Sequence, residues 1–147
     1  MMAPEIWTRY RKENPHAESY DAWMFCGGGK AADELADLVI KGFKTATASA
    51  HQLYQIENAP IPSEGDLNII LKSNGEAACI IRITNVVVLR YCDVKPEHAY
   101  NEGEGDRSLE EWRKVHKDFF SKELEEHGLH FDETMLVVCE TFAVEFI

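Results

Sequence analysis

Apolar residues recur at helical spacing in three stretches of the chain. Residues 4 to 13 carry Ile6, Trp7 and Tyr10 at i, i+1 and i+4, with Pro4 admissible in a first turn and Asn14-Pro15 as a stop. Residues 30 to 41 place Leu35, Leu38 and Val39 on one face, and Gly42 suits the left-handed position just past a helix end. Ser108 and Glu111 have capping-box spacing and open a helix to about Glu126, with Leu109, Trp112, Val115, His116, Phe119 and Phe120 on one broad face. Gly128 is its predicted stop.

Alternating or continuous apolar runs predict strands elsewhere. Thr45 to Ser49 is one; Leu67 to Leu71 and Ala77 to Leu89 form a predicted hairpin around Ser73-Asn74-Gly75. Met135 to Phe146 closes the chain as a strand in which Leu136, Val138, Phe142, Val144 and Phe146 share one parity. Glu140 interrupts that apolar set, which marks either a polar pocket or a rim.

The 147 residues suffice for one compact domain over 1 to 147, with a helical N-terminal region of about 1 to 40 and no repeat or linker to divide it. A formal net charge of -11 opposes long phosphate backbones and anionic membranes, so extended DNA and membrane surfaces are not expected partners. One nucleotide in a local basic pocket is compatible with that charge. Cys26, Cys79, Cys92 and Cys139 are too dispersed for a zinc motif or a disulfide framework, which predicts reduced thiols, a cytoplasmic protein and no metal or other cofactor. A monomer or weak homodimer is expected.

Gly42-Phe43-Lys44-Thr45-Ala46-Thr47 joins a predicted helix to a predicted strand and is the most reactive stretch of the chain. A lysine beside a hydroxyl can act as its base or ease its deprotonation. In an ideal strand Lys44 and Thr47 point to opposite faces while Thr45, Thr47 and Ser49 share one, so Lys44 must still lie in the turn to meet Thr47. From spacing alone, a lysine capping the helix and threonines forming a strand is the commoner arrangement.

The acidic loop Glu102-Gly103-Glu104-Gly105-Asp106 lacks the EF-hand pattern; it can aim one carboxylate into a pocket or simply favour the dipole of the following helix. Trp7 and Tyr10 among Arg9, Arg11 and Lys12, then Tyr20, Trp23 and Phe25, supply stacking surfaces for a base, although such spacing is more often core. His98 and His116 are read as supporting residues.

The GxKxxT run from Gly42 to Thr47 resembles the signature of the ASCH family. Trp23 to Gly27, Ala32 to Val39, Lys44 to Ser49, Glu102 to Asp106 with Trp112 and His116, and Val137 to Phe142 are similar to its larger, acidic YhfF-like subgroup. The resemblance runs in order over roughly residues 20 to 146. It implies an α+β, PUA-like fold, a mixed and mainly antiparallel β-barrel flanked by helices, with a cleft under the GxKxxT segment. A smaller branch of the family hydrolyses N4-acetylcytidine with the motif's lysine and last threonine plus a glutamate in a His-Ala-x-x-Glu stretch, matched here by His98-Ala99-Tyr100-Asn101-Glu102.

That likeness implies Thr47 as nucleophile, Lys44 as its activator and Glu102 as proton shuttle, with Trp23, Phe25, Thr45 and Ser49 as substrate-binding candidates. Three readings stand: a metal-independent amidohydrolase of an acylated nucleoside, a non-catalytic reader of a modified nucleotide or short RNA, and, third, a ribonuclease. The chain is longer than the minimal amidohydrolases, and its added N-terminal helical region can reshape or cover the pocket.

Overall fold

A computed structural model describes residues 1 to 147. In chain order it contains α1 (Ala3–Glu13), β1 (Asp21–Trp23), a 3-10 turn (Phe25–Gly27), α2 (Gly29–Ile40), β2 (Ala46–Ala50) and α3 (His51–Ile56). There follow β3 (Leu67–Leu71), β4 (Ala77–Arg90), a second 3-10 turn (Tyr91–Asp93), α4 (Pro96–Glu102), α5 (Leu109–Glu125) and β5 (Leu136–Phe146).

The five strands form one sheet in the order β1-β3-β4-β5-β2, antiparallel except for the β1–β3 pair. Its two outer strands do not pair with each other, so the sheet is a half-barrel where the family resemblance implied a barrel. The architecture is otherwise the predicted α+β arrangement, a mixed and mostly antiparallel sheet flanked by helices.

The helices form where apolar spacing and end signals agree. On α5, Ser108 Oγ accepts the Glu111 N–H at 3.1 Å, and Trp112, His116, Phe120 and Leu124 are buried along one stripe. On α2, Ala32, Leu35, Ala36 and Val39 are buried, and the helix stops before Gly42, whose φ of +83° a side chain would strain.

Both faces of the sheet are covered, which explains why several strands lack alternation. The α2 stripe packs with Phe25, Ile70, Ile81, Ile83 and Phe142. On the opposite side of β3 and β4, Ile6 and Tyr10 of α1 cover Leu67, Ile69 and Ile80. Each of the fully buried Ile69, Ile70, Ile80 and Ile81 contributes roughly 1.5–3 kcal/mol by leaving water. The third core joins α5 to Ala50, Tyr91, Ala99, Val137 and Cys139. Residues 137 to 140 of β5 are accordingly buried on both faces.

Sequence patterning missed three elements. β1 has only three residues and depends on its parallel partner β3, while α3 and α4, at six and seven residues, are too short for periodicity to register. α4 corrects the reading of Glu102 as part of a loop: it is the last helical residue, followed by Gly103 in the left-handed region.

Candidate active site

The chain leaves α2 by a tight reversal. The Gly42 N–H donates to the Val39 carbonyl at 3.1 Å, and both the Phe43 and Lys44 N–H groups donate to the Leu38 carbonyl. This holds Lys44 in the turn ahead of β2, as the spacing required. The end of α4 packs against the same segment. A Cβ on Gly103 would overlap the Phe43 carbonyl, and the Asn101 carbonyl accepts the Thr45 N–H at 2.7 Å. Thr45 Oγ1 reaches the same carbonyl at 3.4 Å, so Thr45, a substrate-binding candidate, ties two segments together.

Lys44 is only 1% exposed. Its Nζ faces four acceptors: the Ala46 carbonyl at 2.9 Å, the Glu102 carbonyl and Oε1 at 3.3 Å each, and Glu104 Oε2 at 3.0 Å. The Phe25 ring centroid lies 5.3 Å from it. Such surroundings match a donor-only ammonium. Thr47 Oγ1 is not among its partners, so the expected lysine–threonine pair is not hydrogen-bonded.

Glu102 is equally enclosed. His98 Nε2 lies 2.7 Å from its Oε2, and Trp112 Nε1 donates to the same oxygen. His116 Nε2 lies 3.4 Å from Oε1. Burial alone would raise this carboxyl, but Lys44 and the two imidazoles hold it well below the usual carboxylate range. His116 Nδ1 sits 2.8 Å from the Trp112 carbonyl, so both ring nitrogens face oxygen, an arrangement that favours the charged imidazolium. Burial opposes that charge, yet Glu102 overcomes it and the His116 pKa is raised. Trp112 stacks on the imidazole with centroids 4.1 Å apart.

Glu104 joins this charge set through Lys44 Nζ, 3.0 Å from its Oε2. Glu102, Glu104 and His116 bring donor atoms within 4.8 Å of one another, a spacing that also suits a metal ion. Lys44 Nζ already lies against both carboxylates, so its ammonium supplies the positive charge a cation would bring.

Thr47 is three residues further on, within β2. Ala48 and Ala50 turn toward the α5 core, so Thr47 and Ser49 point to the opposite face. There Thr47 is directly across from Glu140 of β5, which also pairs with Val86 of β4. Glu140 is 6% exposed, and burial pushes its carboxyl up to about 7, with Asp66 and Glu102 adding to the rise. Ser49 Oγ pairs with the Tyr54 hydroxyl of α3 at 2.7 Å. Trp23 Nε1 donates to Asn68 Oδ1 at 2.9 Å, and its ring meets Phe25 edge-on at 4.8 Å.

A model of the ASCH domain matches residues 21 to 145. The chain belongs to the ASCH domain family. Among solved structures, an ASCH domain from Lactobacillus crispatus JV V101 is 34% identical with a TM-score of 0.91, covering 98% of this chain and 94% of its own. A DUF984 protein from Enterococcus faecalis V583 is 32% identical with a TM-score of 0.91, covering 97% of this chain and 87% of its own. A hypothetical protein at 18% identity and a TM-score of 0.55 shares the fold alone. No curated protein matches the chain.

Other features of this ASCH domain lie apart from Lys44 and Thr47. One cavity, about 720 Å³, is a polar depression between the 13–21 segment, Asp66 and Arg82. A second, about 630 Å³, lies beside Tyr100 and Arg107. Neither is lined by Lys44, Thr47 or Glu102, although the second includes Asn101, the residue before Glu102. The N-terminal aromatics take the core alternative: Tyr10 is 1% exposed, and Trp7 and Tyr20 pack against its cluster. No helix is long and apolar enough to cross a membrane.

Proposed function

We propose that this ASCH domain is a metal-independent amidohydrolase of an acylated nucleoside such as N4-acetylcytidine. Thr47 is the nucleophile, attacking the acyl carbon to release the amine and leave an acyl-threonine that water then cleaves. The observation that carries this reading is the buried Lys44–Glu102 pair fixed at the start of the strand that presents Thr47. Lys44 contributes positive potential to developing oxyanion charge. Glu102, with both oxygens already engaged, holds Lys44 in position rather than shuttling a proton, the role the resemblance implied.

A second reading, a non-catalytic module for a modified nucleotide or short RNA, is favoured by the enclosure of Lys44 among acceptors. A ribonuclease is less well supported, because His98 and His116 both face Glu102 and neither is free for an acid–base pair.

The test is release of cytidine and acetate from N4-acetylcytidine by wild type and Thr47→Ala, with and without chelator. Chelator-resistant turnover lost in Thr47→Ala supports the hydrolase. Tight binding without product from the folded wild type moves the assignment to the reader.

A further inference from the structure

Glu140 is the one buried carboxyl in the structure with no hydrogen bond or ion pair to its side chain, and its position in the sheet is specific. Phe142 donates its N–H to the Thr45 carbonyl at 2.9 Å, the position of a hydrogen-bonded antiparallel pair, while the Thr45 N–H turns to Asn101. Counting along the register, Thr47 and Glu140 are the next such pair, with Cα atoms about 5.5 Å apart and side chains on one face. The two side chains are therefore neighbours on one face, and no hydrogen bond joins them in this conformation.

The other ionisable groups nearby are already engaged. Lys44 Nζ faces four acceptors, Glu102 holds two imidazoles and an indole, and the Tyr54 hydroxyl is paired with Ser49. Val86 and Phe142 flank Glu140 with apolar surface. A β-bulge between Ile83 and Asn85 resets the β4 register directly beside this point, so Val86 and not Asn85 lies opposite Glu140.

We propose that Glu140 is the general base and acid of this site, taking the Thr47 proton and returning it to the leaving nitrogen. The proposal rests on the acyl-transfer reading above. In its ionised form Glu140 accepts the hydroxyl proton as Thr47 Oγ1 bonds the acyl carbon. The C–N bond then breaks as the protonated carboxyl gives that proton to the amine. In the second half Glu140 takes a proton from water, the water oxygen bonds the acyl carbon, the C–Oγ1 bond breaks, and the proton returns to Thr47. Both halves begin and end with the carboxylate, so no external acid, base or oxidant is needed.

The charged and titratable groups facing Glu140 are Asp66 ahead of β3, Glu102 of α4 and Tyr54 of α3. The two acids hinder its ionisation together with burial, and its resulting value of about 7 suits proton transfer in both directions near neutral pH.

The test uses an activated ester, p-nitrophenyl acetate, and follows acetylation of Thr47 by peptide mass spectrometry between pH 5 and 9, alongside N4-acetylcytidine turnover. Wild-type acetylation should rise with an inflection near pH 7. Glu140→Gln should lose about 100-fold or more in rate and lose the inflection, while Glu140→Asp retains a titrating step; unchanged near-UV dichroism verifies folding. If N4-acetylcytidine is not turned over but Thr47 acetylation still depends on Glu140, the nucleoside reading fails and the proton-transfer role stands. Equal acetylation in wild type and Glu140→Gln, or none at Thr47 in wild type, overturns the proposal.

Discussion

The Lys44 ammonium and the Glu102 carboxylate lie 3.3 Å apart with side chains only 1% and 2% exposed. A pair this deeply enclosed is a weak source of net stability, because desolvation cancels much of its attraction, but it is intolerant of losing one member. Lys44→Met should therefore cost about 3–5 kcal/mol by denaturant unfolding. Pairing it with Glu102→Gln should cost clearly less than the sum of the two single changes; strict additivity would show that the two side chains are not coupled.

Among the buried site groups, stability should depend on pH with different signs. Glu102 has a depressed folded pKa, so its contribution is present above the unfolded value of 4.5 and is lost as pH falls. His116 has a raised one, so its contribution is full below 6.5 and fades as pH climbs through its folded value. Glu140, raised from 4.5 to about 7, favours folding below 4.5 and loses that advantage by pH 7. Glu140→Gln removes the cost of a buried charge and should be more stable than wild type at pH 8 by roughly 2–4 kcal/mol, with no such gain at pH 4. Chemical unfolding at the two pH values measures the difference.

Gly103→Ala should be among the most damaging small substitutions. The residue holds a φ of +73°, and the added methyl would overlap the Phe43 carbonyl. Loss of roughly 1–3 kcal/mol from backbone strain is expected before the clash is counted. Because Glu102 precedes it directly, catalysis or ligand binding should fall further than stability alone explains; a comparison with Gly128→Ala, which has open space around its Cβ, separates the two effects.

Thiol chemistry offers an independent check on burial. Cys79 and Cys139 are buried with thiols pushed up to about 12, whereas Cys26 is exposed and Cys92 partly so. A thiol reagent at pH 8 should label Cys26 and Cys92 and reach the other two only on unfolding.

Much of this fold could be read from residue patterns. α1, α2 and α5 differ from their expected ranges by about one residue, because each combines an apolar stripe with a definite stop such as Asn14-Pro15, Gly42 or Gly128. The β3–β4 hairpin and β5 were equally visible. The site was less accessible. Glu104 joins Lys44 only because Gly103 lets two backbones meet, a tertiary event with no local signature. His98 and His116, read as supporting residues, both face Glu102. Glu140 did leave a signal, a charge inside an apolar parity set. Its meaning required the partner strand, because pattern alone does not say that Thr47 lies opposite.

Burial of β5 on both faces from Val137 to Glu140 has one more consequence. A strand with a wet face can slip and be rescued by solvent, but a one-residue slip here would drive the Glu140 carboxyl into the α5 core and turn the Cys139 thiol toward Thr47. The same alignment that lets the sheet close over its helices therefore also selects which atom meets the threonine, so misregistered folding and loss of chemistry are a single failure.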